Sequence, residues 1–548
     1  MNMQHLIFHG RSLKDICNNL KRIFWKSKYR KVLKVHKKDR GKIMTYYLGL
    51  DLGTGSLKTV LFDVNGLEIA ASAVEYPLYQ PHNGWSEQNP EDWYQAALKT
   101  VKAVMDQSGI APEQVMGLGI SGQMMGAVML DRNGEILRRA ILWNDGRTSE
   151  SCEHVRHIVG DDLFMKYSLT PARPGLTAAK IQWVKENQPQ IYEKVEHILL
   201  PKDYLRYRLT GEYATEVSDA SATQILDIPN RKWSDEIMTA MNLNEAMLGK
   251  VYESQEITGY VLPEVAKLMG ITSKCAVVGG ASDNSAGGVG TGVVAPGRAM
   301  TTIGTSGTVF AFSEEPVLDI NKSVYTFCMP VPGAWHFMGS VNSCGASLKW
   351  WRNNFYPDDL EYEQINKDAA SSNPSANRLI YLPYLNGEQS PHFNLNCRGS
   401  FVGLAAIHTR ADMTRAVMEG TTYALRDILT GIRNCGVRPE TMRMCGGGSK
   451  SPFWRQLMAD IYNMPVTLPD MNSENSAALG VAILAAVGTG AYPSVVDACD
   501  KIIKMRDEVY KPDEEFAFIY DKVYREFDAL YPKLKENWKS ILNIDFQY

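Results

Sequence analysis

The hydrophobic pattern is clearest from residue 46 onward, in YYLGLDLGTGSLKTVLFDVNGLEIAASAV. An apolar stretch runs into Asp51 and stops at a Gly53-Thr54-Gly55-Ser56 turn. A second stretch, KTVLFDV, follows, and Asn65-Gly66 is a two-residue hairpin signal before a third. The pattern predicts an antiparallel meander. VMGLGISGQ (115–123) reads as another strand, and AVMLDRNGEIL carries a second hairpin signal at Asn133-Gly134. Between these stretches EDWYQAALKTVKAVMDQ (91–107) has helical periodicity. The theme restarts in RAMTTIGTSGTVFAFSE (298–314), again strand, Gly-Thr turn and strand. Two such units, one per half, predict two α/β domains of like fold facing one site. The expected border lies at the Gly-rich run 287–297, giving a first domain over 44–292 and a second over 293–548. Small residues there suit a hinge.

Length agrees with two domains, since 548 residues exceed what one core supports. The composition, 45% apolar and 22% charged with a net charge of −3, is that of an ordinary soluble chain and points to neither nucleic acid nor membrane. No apolar run is long enough to span a bilayer. Nine cysteines without a C-x-x-C pair fit a reduced, cytoplasmic protein. Charge is uneven: residues 1–43 carry 13 Lys or Arg against Asp15 and Asp39. Leu13, Ile16, Leu20 and Phe24 share a helical face there. This extension reads either as a basic amphipathic segment or as no part of the working protein, with Met44 as the start; the second is favoured, because no secretory core or cleavage signal is present.

Turns of Gly, Thr and Ser present backbone N–H groups and hydroxyls without bulk, a cradle for phosphate oxygens. The 53–56 turn and Gly304-Thr305-Ser306-Gly307 both qualify, and no G-x-x-x-x-G-K-[ST] loop is present. A third cluster, Gly446-Gly447-Gly448-Ser449, joins strand TMRMC to helix SPFWRQLMADI and is read as the adenosine pocket; alone it also fits a packing turn. Phosphoryl transfer needs charge neutralisation and a group to orient the attacking hydroxyl. Asp51, beside the first turn, suits a magnesium ion held through water. Asp283, among small residues in VVGGASDNSAGG (277–288), suits the base.

The segments WSEQNPEDW (85–93), GISGQMMGAVMLD (119–131), ILWNDGR (141–147), LLPKDYLRYRLTGEYATEVSDAS (199–221), GGASDN (279–284), TIGTSG (302–307), LPYLNGEQSPH (382–392) and CGGGSKSPFWRQLMADI (445–461) resemble the FGGY carbohydrate kinases, within the actin-like ATPase superfamily. The resemblance runs from Met44 to about Leu530 and is nearest to the members acting on xylulose. It implies two actin-like (ribonuclease H-like) domains with a catalytic cleft between them, and Mg-ATP with a ketose, D-xylulose first, as substrates. It implies Asp283 as catalytic base with Asn284 on the sugar, and Met124, Met125, Trp143 and Asn144 on the sugar side. Asp51, Gly53, Thr54, Gly55, Ser56, Lys58, Gly304, Thr305, Ser306, Gly446, Gly447, Gly448 and Ser449 fall on the ATP side. A homodimer is common among such relatives. Trp143 equally suits a core position, and Asp145 with Arg147 a structural ion pair. Three positions depart from the family: Met125 replaces a His, Gln389 an Arg, and Arg173 an apolar residue. Arg173 either bonds a sugar hydroxyl or is solvated. The loss of the His removes a hydroxyl partner, which bears on the choice of sugar. The rivals are a kinase for L-xylulose, ribulose, fuculose or a polyol, and a non-enzymatic actin-like ATP-binding module, which has no use for the segments at 119–147 or for Asp283 with Asn284.

Overall fold

The computed structural model describes residues 44–357 and 360–544; the basic stretch 1–43 and its expected helical face lie outside the described residues. Residues 46–548 form one compact unit containing two large sheets.

The first sheet holds β1 (Tyr46–Leu52), β2 (Ser56–Asp63), β3 (Glu68–Glu75), β4 (Val115–Gly122), β5 (Ile257–Tyr260), β6 (Ala276–Val278) and the short β7 (Ala281–Ser282). Its order is β5-β6-β4-β1-β2-β3, with β7 also on β4. β1, β2 and β3 are the expected meander, and β4 runs parallel to β1 on its other side. Helix α1 (Pro90–Ser108) connects meander and β4, capped by Asn89 and ended by Gly109 in the left-handed region. Helix α2 (Thr177–Asn187) follows, and β7 leads directly into α3 (Asp283–Gly290).

The second sheet repeats the plan. β8 (Arg298–Ile303) and β9 (Gly307–Ser313) pair antiparallel around the second Gly-Thr turn, and β11 (Trp335–Val341) with β10 (Tyr325–Cys328) extends that side. β12 (Thr441–Cys445) lies parallel to β8, as β4 does to β1, and β13 (Val466–Thr467) closes the edge. Helices α4 (Gly345–Phe355), α5 (Pro452–Tyr462) and α6 (Ser476–Gly488) belong to this half of the sequence. Both sheets are mixed, in a two-domain α/β fold.

Two helices are exchanged between the lobes. α6 packs on β1 and β4 of the first sheet, where a Cβ at Gly49 would sit 1.9 Å from the Ala478 carbonyl oxygen and one at Gly119 would sit 2.3 Å from that of Val481. Gly49 and Gly119 are register partners, so together they form a groove that admits the helix backbone. α3 in turn meets the second sheet, with Gly288 against Phe310 and Gly287 against Met300. Where α3 and α6 cross, a Cβ on Gly290 would lie 1.8 Å from the Ser476 carbonyl oxygen, and one on Gly480 2.0 Å from that of Ala286. Only glycine allows backbones this close.

Candidate active site

Strand register brings the two candidate acids together. Asp51 is opposite Ser121 on β4, and Ser121 is opposite Ala281 on β7. Asp283 follows two residues later, as the first residue of α3. Both acids thus stand where parallel strands end, the usual place for a ligand crevice in α/β sheets. The Ser121 hydroxyl donates to Asp51 Oδ1 at 3.1 Å. Burial pushes the Asp51 carboxyl above its ordinary range, against the Ser121 hydrogen bond and the Lys58 charge.

Asp283 is pushed up to about 7, first by burial, with the Asp51 charge adding to the rise. Donation from the Asn284 backbone N–H at 2.6 Å and from Asn284 Nδ2 at 2.9 Å works against it. Register places both carboxyls at the same end of the sheet, with the Asp51 charge felt at Asp283, and a carboxylate poised near 7 has the basicity a general base needs. Asn284 Nδ2 also reaches Met124 Sδ at 3.9 Å, so the 123–126 loop lies against Asn284.

The first Gly-Thr turn is braced from behind. Gly53 N–H donates to the Ser56 carbonyl at 3.0 Å, and the Tyr76 hydroxyl donates to the Gly53 carbonyl. Thr54 is the centre of a network: Trp143 Nε1 donates to its hydroxyl at 3.0 Å, that hydroxyl donates to Gln123 Oε1 at 3.3 Å, and Gln88 Nε2 donates to its carbonyl at 2.6 Å. Gln123 and Trp93 both donate to Gln88 Oε1. Trp143 is 43% exposed and so is no core residue; Asn144 beside it is exposed too. A Cβ on Gly55 would meet nothing within 4 Å, and one on Gly304 nothing closer than 3.6 Å. Neither glycine has a positive φ. Neither a backbone clash nor a positive φ therefore demands glycine at these two positions. Lys58 Nζ is engaged elsewhere, donating to the Glu474 carbonyl at 3.0 Å.

The second lobe holds a pocket of about 960 Å³ lined by Gly304, Thr305, Gly447, Gly448 and one face of α4, among others. Its size suits a nucleotide. Gly304 N–H donates to the Ser306 carbonyl, and Gly345 and Ala346 N–H donate back to the carbonyls of Gly304 and Thr305, so the start of α4 is built onto the turn. Gly446 is at φ 79° and its Cβ would lie 2.5 Å from the Ile303 carbonyl oxygen, while a Cβ on Gly448 would strike the Ile303 side chain. Packing thus accounts for two of the three glycines, and Gly447 is the one left open to the pocket. Ser449 is buried, and its hydroxyl donates to the Gly446 carbonyl instead of facing the pocket. Lys349, Trp350, Asn353, Tyr362 and Asn366 line the opposite wall and were missed in the sequence. Their only signal was SCGASLKWW (343–351), small residues between a strand end and a helix, the form of the other ligand turns.

Asp145 and Arg147 form a buried ion pair at 2.7 Å, with Arg147 also on Glu87 and over the Trp85 ring. Arg173 is buried, not solvated; it donates to the Lys322 carbonyl at 2.6 Å and lies over Phe393. Among the described residues no three His, Cys, Asp or Glu side chains gather to hold a metal alone. No helix among them is long and apolar enough to cross a membrane.

Two like α/β lobes, each with a Gly-Thr turn at a strand end, a nucleotide-sized pocket in one and two buried acids in the other, have the parts a two-domain phosphotransferase needs. The chain belongs to the FGGY family of carbohydrate kinases: the family's N-terminal domain matches residues 46–290 and its C-terminal domain residues 299–489. It is therefore an ATP-dependent carbohydrate kinase. It is 37% identical to the xylulose kinase of Staphylococcus epidermidis over 91% of this chain and 98% of that one. The fold matches a ligand-bound xylulose kinase from Lactobacillus acidophilus with a TM-score of 0.85 at 26% identity, covering 91% of this chain and 100% of that one. A gluconate kinase from the same organism matches equally well, with the same TM-score, identity and coverage. Backbone similarity alone thus does not discriminate between sugars.

Proposed function

We propose that the chain phosphorylates a ketose at its terminal hydroxyl, converting D-xylulose to D-xylulose 5-phosphate. The 37% identity to a xylulose kinase over nearly the whole chain supports the sugar. The observation that carries the chemistry is Asp283, held near 7 at the head of α3 within the field of Asp51.

In this proposal the domain over 44–292 takes the sugar and that over 293–548 takes ATP. Adenosine occupies the pocket beside Gly447, and the phosphates extend over the Gly304–Ser306 turn toward Gly53–Ser56. Asp283 accepts the proton of the sugar hydroxyl as its oxygen attacks the γ-phosphorus in line and the bond from that phosphorus to the bridging oxygen of ADP breaks, releasing ADP, with Asn284, Met124, Met125, Trp143 and Asn144 orienting the sugar. Asp51 suits magnesium through water, since that ion takes few carboxylates and keeps waters and phosphate oxygens as its other ligands. Such an ion would neutralise phosphate charge. Catalysis otherwise rests on positioning and on backbone donors aimed at the phosphates. A cytoplasmic homodimer completes the reading.

A second acceptor, another ketose such as L-xylulose, ribulose or fuculose, is favoured by one observation, Met125 at a loop position where a hydrogen-bonding residue would read a hydroxyl. The test is sugar-dependent ADP release, compared as kcat/KM for D-xylulose, L-xylulose, D-ribulose, L-fuculose and glycerol. The highest value is expected for D-xylulose. A different winner reassigns the sugar, and no stimulation by any of them removes the ketose reading.

A further inference from the structure

One buried cation is not used by the chemistry described above. Lys180 lies on α2, and its side chain is fully buried. Its ammonium donates to the Met125 carbonyl at 2.8 Å and to the Gly175 carbonyl. The Thr177 hydroxyl, one helical turn earlier on the same face, donates to the same Met125 carbonyl at 3.2 Å. Met125 stands at φ 67°, in the left-handed region that side-chain-bearing residues occupy uncommonly. A strained backbone of this kind persists only where its surroundings over-determine it.

The ammonium also gathers the neighbouring segments. Gly175 is at φ 86°, and a Cβ there would lie 3.3 Å from the Trp143 carbonyl oxygen. Gly175 N–H donates to Thr148 Oγ1 at 3.1 Å. Both acceptors of Lys180 are main-chain carbonyls and not a carboxylate. Burial lowers the Lys180 amine to about 7, with the Asp145 charge working against the drop and that of Arg147 adding to it, and charged or neutral the amine keeps N–H donors for both carbonyls. Burying an amine costs desolvation, and here that cost is offset only by the two carbonyls it pairs. What the ammonium adds is a fixed position for two loop carbonyls.

We infer that Lys180, assisted by Thr177, is the positioning residue that holds the 123–126 loop in its left-handed turn and so sets affinity for the sugar. Lys180 itself touches no reacting atom. The inference rests on the proposed sugar-side role of that loop.

The test uses the full chain with Lys180→Met, which keeps the length and apolar stem and removes the donor, and with Thr177→Val. For Lys180→Met the KM for D-xylulose is expected to rise by about tenfold or more while the KM for ATP stays within about twofold, as loss of a buried donor that pairs two loop carbonyls requires. Thr177→Val should raise the sugar KM by about threefold, as loss of a neutral donor does. The rise in melting temperature given by D-xylulose should vanish in Lys180→Met, and the rise given by ATP should remain. A folded Lys180→Met protein with an unchanged sugar KM overturns the inference, and so does a parallel rise in both KM values. Should that variant not fold, an unchanged sugar KM in Thr177→Val overturns it. Wild-type protein run alongside separates the two levels: absence of sugar-stimulated ADP release there sinks the sugar reading itself, whatever the variants do.

Discussion

Asp283 carries opposing demands on rate and stability. The folded chain holds its proton up to about pH 7, while an unfolded chain releases it near the ordinary value of about 4. Between these limits the folded state binds more protons, so its stability falls as pH rises, whereas the base becomes active only as the proton leaves. In wild type, kcat/KM should therefore climb with an apparent pKa of about 7 and level off above it. Asp283→Asn should lower kcat by about 10²–10⁴-fold, the usual contribution of a general base. It should also remove one part of the pH dependence of unfolding, so that its melting temperature gains on wild type as pH goes from 5 to 8. The comparison between the two proteins isolates this residue, because Glu388 and Asp427, each pushed up to about 8 by burial, titrate in both. A variant that retains more than about a tenth of wild-type turnover takes Asp283 out of the role of base. The acid was legible as a candidate from the small residues around it. Its neighbour Asp51 was legible from the turn it precedes. That the two stand at the same end of the sheet was not, because it depends on β7 pairing with β4, and a two-residue strand leaves no periodic trace.

Glycines with the same appearance in the sequence play opposite parts in the elements. Gly55 has open space where a side chain would go, and Gly480 is pressed onto the Ala286 carbonyl across the α3–α6 crossing. Gly480→Ala should destabilise the fold by about 1–3 kcal/mol, the range for overpacking, read as a lower urea midpoint. Gly55→Ala should leave the midpoint unchanged and raise the KM for ATP, since its methyl stands where a phosphate oxygen would approach. An unaltered ATP KM in Gly55→Ala would remove that turn from phosphate binding. The turns could be read from Gly, Thr and Ser set between apolar strands, a local signal. The groove of Gly49 and Gly119 could not, because its occupant, α6, comes from the far half of the chain. The α4 wall of the pocket was hidden for a related reason: its lining residues are spaced like any helix face, and only the turn at Gly304 beneath them makes them a wall.

For the molecule as a whole, the pocket of about 960 Å³ and Asp283 belong to different linings. The pocket is lined by second-lobe residues, with neither Asp283 nor the first turn among them. The lobes are tied along one seam, where Arg231 donates to the Met329 and Ala334 carbonyls, Trp335 Nε1 to the Ile228 carbonyl at 3.0 Å, and Cys328 N–H to Ser221 Oγ at 3.0 Å. The exchanged helices α3 and α6 cross between the sheets, and Asp283 is the first residue of one of them. Any rotation of the lobes about that crossing moves Asp283 relative to the Gly304–Ser306 turn. ATP and sugar bound together should therefore draw the lobes closer than either ligand alone, which small-angle scattering reads as a smaller radius of gyration with a non-hydrolysable ATP analogue and D-xylulose than with the analogue by itself. Closure that needs the sugar also holds water away from the γ-phosphate until the acceptor is in place. ADP release without sugar should accordingly be slow. An unchanged radius with both ligands, together with brisk sugar-independent hydrolysis, would mean that the cleft works in a single arrangement and that the α3–α6 crossing serves only to hold the lobes together.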